Sequence, residues 1–167
     1  ECDEFLDSFA AEGVINLNRL GTEANFLFPK DSDEEKLIIA LKEQVGELMR
    51  EAKEKYLSEE VIKLKSSRAF ELIKLFKAND YYAITEDEDS YIEKTSEICR
   101  EFFSMVEDTY VSFYKVEGRE EYGFKLVSVN LDSVFKQLIE KNKVFVMMSG
   151  TIHSPRVLKE IFGIKNF

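Results

Sequence analysis

Met148-Ser149-Gly150-Thr151-Ile152-His153-Ser154-Pro155 is a run of small, hydroxyl-bearing residues around a glycine. Such a turn lets a backbone approach a phosphate, or a neighbouring loop, closely. Ser149 and Thr151 would equally serve to satisfy backbone groups at a turn, with Ser154 capping a helix. At the other end, Glu1-Cys2-Asp3-Glu4 places three acidic residues in four positions, a pattern that is commonplace by itself. A third group is basic: Lys63, Lys65, Arg68, Lys74 and Lys77 oppose only Glu71 between residues 63 and 77. On a helix advancing about 100° per residue, Lys63, Lys74 and Lys77 share a narrow stripe with Phe70, opposite the main apolar arc. Lysines around an aromatic ring form a stacking and phosphate platform for single-stranded DNA. The same residues also fit a solvated face with Phe70 packed on a neighbouring helix. Lys65 and Arg68 border the buried arc and are weaker candidates.

The elements that would position these groups follow from periodicity and punctuation. Phe5, Leu6, Phe9 and Ala10 have helical spacing and give way to Gly13 and Gly21, which predicts a short helix and then an irregular connection to about Phe28. Asp31 and the acids after it start a long amphipathic helix whose apolar positions run from Leu37 to Ala52. Ser58 with Glu59 and Glu60 repeats the start signal for a second helix, Val61 to about Lys77. Tyr81 to Thr85 reads as extended and residues 86–89 as an acidic loop. Ser90 caps a third helix carrying Ile92, Cys99 and Phe102. The segments 110–116 and 122–129, rich in Val, Tyr and Phe around a Glu-Gly-Arg-Glu-Glu turn, predict a hairpin. A short helix from Asp132, a buried strand at 144–148 and a helix opened by Ser154-Pro155 close the chain. That order is a βα element of an open sheet, where ligands collect at the carboxyl ends of strands.

The chain has 167 residues, 44% hydrophobic and 34% charged, so it can bury a sizeable core. No apolar run approaches the roughly 20 residues needed to span a bilayer, and no secretory leader is visible, which predicts an intracellular protein. A net charge of −10 excludes holding nucleic acid by the overall field, so any DNA contact must be local. Cys2 and Cys99 are too few for a disulfide framework, a four-thiolate zinc site or an iron–sulfur cluster and read as free thiols. His153 is the single histidine and fits a turn or core role better than catalysis. The first residue is Glu1 rather than Met, which suggests a processed chain, an excised one or a portion of something larger.

Taken together, the two ends resemble the XPD/DinG-type superfamily-2 DNA helicases. Glu1-Cys2-Asp3 looks like the end of an Asp-Glu-x-Asp box, and Val146-Met147-Met148-Ser149-Gly150-Thr151-Ile152 looks like the strand and Ser-Gly-Thr motif that follow the family's arch insertion. A largely helical segment lies between them, as in the family. His153 departs from the pattern, standing where better-known members pass directly to Ser and Pro. The likeness covers the whole chain in layout, while its specific residues are about ten positions at the two ends.

The resemblance implies an α/β fold with a helix-rich, arch-like insertion on a partial motor domain. Residues 1–28 and 110–167 would belong to the motor and 29–109 to the arch, with the hairpin near 110–129 fitting either. It implies an ATP-dependent, 5′-to-3′ DNA helicase and ATPase in the larger parent, with this fragment inactive alone. Glu1 would position the water that attacks the γ-phosphate, Asp3 would link to the adjacent motif, and Ser149, Gly150 and Thr151 would couple ATP state to DNA grip. ATP and Mg²⁺ would be held mainly by other parts of the parent, and any iron–sulfur cluster would precede the acidic box. The partners would be single-stranded or forked DNA and the remaining motor domains. The other reading is a non-enzymatic helical module that binds a protein through its acidic faces.

Overall fold

A computed structural model describes residues 10–58 and 60–128, and Ala11–Ser128 form one compact unit. The first strand, β1 (Ala11–Asn16), passes without a loop into α1 (Leu17–Phe26). This replaces the irregular connection expected there. Gly13 and Gly21, read from the sequence as breakers, are small for packing reasons. A side chain at Gly13 would strike Ile98 and Phe102, and Gly21 faces Val45 at helix-to-helix contact distance. Asn16 caps α1 by accepting from the Arg19 amide at 3.0 Å, and Leu17, Leu20 and Ala24 then recur on the buried face.

The long helix α2 (Ser32–Lys55) begins where expected, with the Asp31 carboxylate accepting from the amides of Asp33 and Glu34. It buries Ile38, Leu41, Val45, Leu48 and Ala52. The second predicted helix begins later than its start signal. Val61–Lys63 form a short strand, β2, and Leu64–Ser66 a 3₁₀ turn, before α3 (Ala69–Ala78). Val61 and Ile62 are β-branched and find a partner strand, and the Ser67 hydroxyl accepts from the Ala69 amide to open α3. Tyr81–Thr85, expected to be extended, contains the single turn α4 (Tyr82–Thr85), closed by Glu86 at φ 51°. Ser90 caps α5 (Tyr91–Ser104) as expected, accepting from the Glu93 amide.

The predicted hairpin is present as β3 (Thr109–Lys115) and β4 (Tyr122–Ser128), turning at Gly118 with φ 72°. The described strands form an antiparallel sheet in the order β1-β4-β3-β2, so this unit is of mixed α/β class. β1 pairs with β4 from Ala11↔Ser128 to Asn16↔Gly123. One sheet face carries buried Ile15, Val111, Phe113, Phe124 and Leu126 against the helices. At 20–33 cal/mol per Å² of apolar surface, burying Phe124 or Phe102 completely contributes about 2–3 kcal/mol each.

Polar groups on α1 pin the unit together. Glu23 accepts from the Tyr91 and Ile92 amides at 2.9 Å each, satisfying orphan donors at the start of α5. Asn18 accepts from the Tyr122 amide at 2.7 Å, tying α1 to the hairpin. The Tyr91 hydroxyl accepts from the Asn16 amide at 2.6 Å.

Candidate nucleic-acid interface

The expected basic stripe divides between two elements. Phe70, Lys74 and Lys77 lie on one face of α3, where four- and three-residue spacing stacks them. Lys63 does not join them on a helix: it sits on β2 and pairs across the ladder with Tyr110. The edge of the sheet captured Val61–Lys63, and the helical projection of Lys63 onto the α3 stripe is therefore corrected. Phe70 is half-buried against the core rather than standing free. Lys74 lies 5.0 Å from its ring centroid and is also ion-paired with Glu71 at 2.7 Å.

Charge neutralisation decides which of these groups is available to a phosphate. Lys65 pairs with Glu107 and Arg68 with Glu47. Such solvated pairs contribute about 0–1 kcal/mol and are readily exchanged, yet they cancel much of the local positive potential. Lys63 and Lys77 are exposed and sit over aromatic rings instead, Lys63 5.6 Å from the Tyr110 centroid and Lys77 5.8 Å from that of Phe103. Each arrangement joins a cation to a π-surface, the pairing a single-stranded nucleic acid uses. Tyr110 and Phe103 were missed in the sequence because their closeness to Lys63 and Lys77 is made only by strand pairing and helix packing.

The sheet face away from the helices carries Tyr110, Ser112 and Tyr114 of β3 together with Lys125 of β4, whose ammonium pairs with Glu12 at 2.7 Å. Tyr114 lies over Gly123 and donates its hydroxyl to the Ile15 carbonyl at 3.4 Å. Burial, with Tyr91 and Glu121 nearby, pushes that phenol up to about 12. At the hairpin end, Tyr56 and Tyr122 pack edge to face at 5.5 Å, with Lys115 over both rings and bonded to Glu120. A shallow recess of about 690 Å³ lies beside them, lined by Tyr56, the end of β3 from Phe113 and the turn residues 116–120.

Buried titratable groups lie elsewhere. Burial pushes the Glu93 carboxyl up, with Arg100 opposing and Asp80 and Glu97 reinforcing the shift. One of its oxygens has no hydrogen-bond partner. Cys99 is a free, fully buried thiol, raised well above its ordinary value by desolvation. Among the described residues, no helix is long and apolar enough to cross a membrane.

Glu1, Asp3, Ser149, Gly150 and Thr151 lie outside the described residues, as do Cys2, His153, the helices expected near Phe5, Asp132 and Ser154, and the strand at 144–148. No protein-family model, no curated protein and no solved structure matches the chain.

Proposed function

We propose that the chain is the arch-bearing part of an ATP-dependent DNA helicase of the XPD/DinG kind, with the compact unit Ala11–Ser128, rather than the residues 29–109 expected from the sequence, as the inserted unit. One observation carries the reading. The unit's first and last residues, Ala11 and Ser128, are cross-strand partners, so the chain enters and leaves it at one point. An insertion requires this geometry, because the host's two flanking segments must remain where they would be without it. The segments flanking this unit hold Glu1-Cys2-Asp3 and Ser149-Gly150-Thr151.

On this reading Glu1 positions the attacking water and Asp3 communicates with Ser149 and Thr151, with ATP and Mg²⁺ bound largely by the rest of the parent protein. Single-stranded DNA meets the unit at Lys63 with Tyr110 and at Lys77 with Phe103. The test is DNA-stimulated ATP hydrolysis by the full-length parent against its Glu1→Gln variant. Loss of turnover with retained nucleotide binding is expected, whereas unchanged turnover overturns the assignment. Replacing Lys63 and Lys77 together by alanine should reduce the slope of log affinity against log salt by about 1.4, two single-strand phosphate contacts at about 0.7 each.

A second reading, a protein-interaction module without activity of its own, is favoured by the pairing of Lys65, Arg68 and Lys74 with acids. It predicts no salt-dependent DNA affinity and no effect of the double lysine substitution.

A further inference from the structure

Two acidic runs far apart in the sequence meet at one end of the compact unit. Lys30, in the α1–α2 connection, is ion-paired with Glu86, the residue that closes α4. The Tyr81 hydroxyl reaches the Leu37 carbonyl in the early part of α2, and Glu23 of α1 holds the first amides of α5. The end of α1, the start of α2, α4 and the start of α5 therefore converge. Residues 30–36 and 86–89 bring eight carboxylates and two lysines to this end. Both lysines are already committed, Lys30 to Glu86 and Lys36 to Asp33.

Within this acidic setting stand two of the three most exposed large apolar side chains among the described residues. Phe26 is 72% and Phe28 83% exposed, and Tyr82 on α4 is 45% exposed. Leaving two phenylalanines in water forgoes about 2–3 kcal/mol of burial each, and exposed aromatics rimmed by charge mark interaction surfaces. Carboxylates of one sign repel a phosphate backbone and attract ammonium and guanidinium groups. Among the described residues, a second copy of this chain offers a poor complement, since much of the basic stretch between 63 and 77, Lys65, Arg68 and Lys74, is already paired internally.

We propose that Phe26, Phe28 and Tyr82, with the carboxylates of residues 31–35 and 86–89, form a docking surface for a basic amphipathic segment of another protein. The partner's apolar side chains would cover the two phenylalanines, and its Lys and Arg residues would meet the acidic rim. The inference does not rest on the helicase reading, because none of the residues that reading assigns to ATP or DNA takes part.

The probe is a synthetic peptide of about 18 residues, roughly five helical turns, with one face of Lys and Arg and one of Leu and Phe. A scrambled peptide of the same composition is the control. Binding to the whole chain is measured by titration calorimetry. The expected result is saturable binding that weakens with salt, falls about tenfold or more in a Phe26→Ser/Phe28→Ser variant, and falls less in Asp87→Asn/Glu88→Gln. Both phenylalanines are exposed, so the variants should keep the wild-type circular dichroism spectrum. The proposal is overturned by absence of binding, by equal affinity for the scrambled peptide, or by a phenylalanine variant that binds as the wild type does. Direct binding of a single-stranded oligonucleotide, or self-association, that disappears in the phenylalanine variant assigns the surface to a different occupant and equally overturns it.

Discussion

Replacing Gly123 by alanine puts a methyl group against the Ile15 carbonyl of the neighbouring strand β1 and the Tyr114 ring of β3. A Cβ at this position would lie 2.5 Å from the Tyr114 hydroxyl oxygen, about 0.8 Å short of the roughly 3.3 Å at which a carbon and an oxygen settle. It would also overlap the backbone carbonyl oxygen of Ile15, which, unlike a side chain, cannot rotate away. Relief requires β1 to move off β4 and Tyr114 to give up its bond to that carbonyl. Overpacking typically costs 1–3 kcal/mol, and a backbone obstacle places this case in the upper part, about 2–3 kcal/mol. For a chain of this size that is a loss of about 4–12 °C in Tm, measured by calorimetry or circular dichroism on the whole chain. Gly46→Ala is the matched control. It lies exposed within α2 with nothing within 4 Å of an added Cβ, so it should gain about 0.5–1 kcal/mol. If Gly123→Ala melts at or above the wild-type temperature while Gly46→Ala rises, the β1–β4 spacing is not set by this contact, and the reasoning fails. Because that pairing joins the unit's entry to its exit, the same variant should speed amide exchange in β1.

Asp31→Ala removes a side chain that accepts from two amides at the start of α2 and should cost about 1 kcal/mol, read as a lower denaturant midpoint with unchanged slope. Cys99 should resist alkylation in the folded chain and react at the rate of unfolding, since burial raises its thiol and hides it. Thiol labelling of a Cys2→Ser variant as a function of denaturant checks this, and prompt labelling in buffer would refute it. Glu93→Gln should raise Tm at neutral pH. Its carboxyl is held above the usual range by burial, so the folded state favours the protonated form, and stability falls as pH rises from the unfolded-state value through the folded-state one. The gain should vanish in acid, where both states are protonated; a gain of equal size at both pH values would show that charge is not the cause.

The sequence by itself determined the elements whose signals are local. Asp31 and Ser90 stand at helix starts because their side chains satisfy amides two or three residues away, and such caps need no distant partner. The Val-, Tyr- and Phe-rich hairpin around Gly118 was legible for the same reason, its strands being neighbours in the chain. Tertiary structure decided the rest. Val61–Ile62–Lys63 follow a helical start signal yet become an edge strand, because pairing with Tyr110–Ser112 satisfies their backbone and buries Leu64 behind them. That choice removed Lys63 from the α3 stripe and set it against Tyr110. Ala11–Asn16 became a strand because β4, more than a hundred residues on, offers a free edge, and Gly13 is small because α5 lies over it. Likewise, the sequence shows two separate acidic runs and a Phe-Leu-Phe triplet, but only the packing of α1, α2, α4 and α5 brings them to one end. A side chain can signal its neighbours along the chain, whereas the partner that decides between strand and helix, or between a paired and an available lysine, is brought up only by folding.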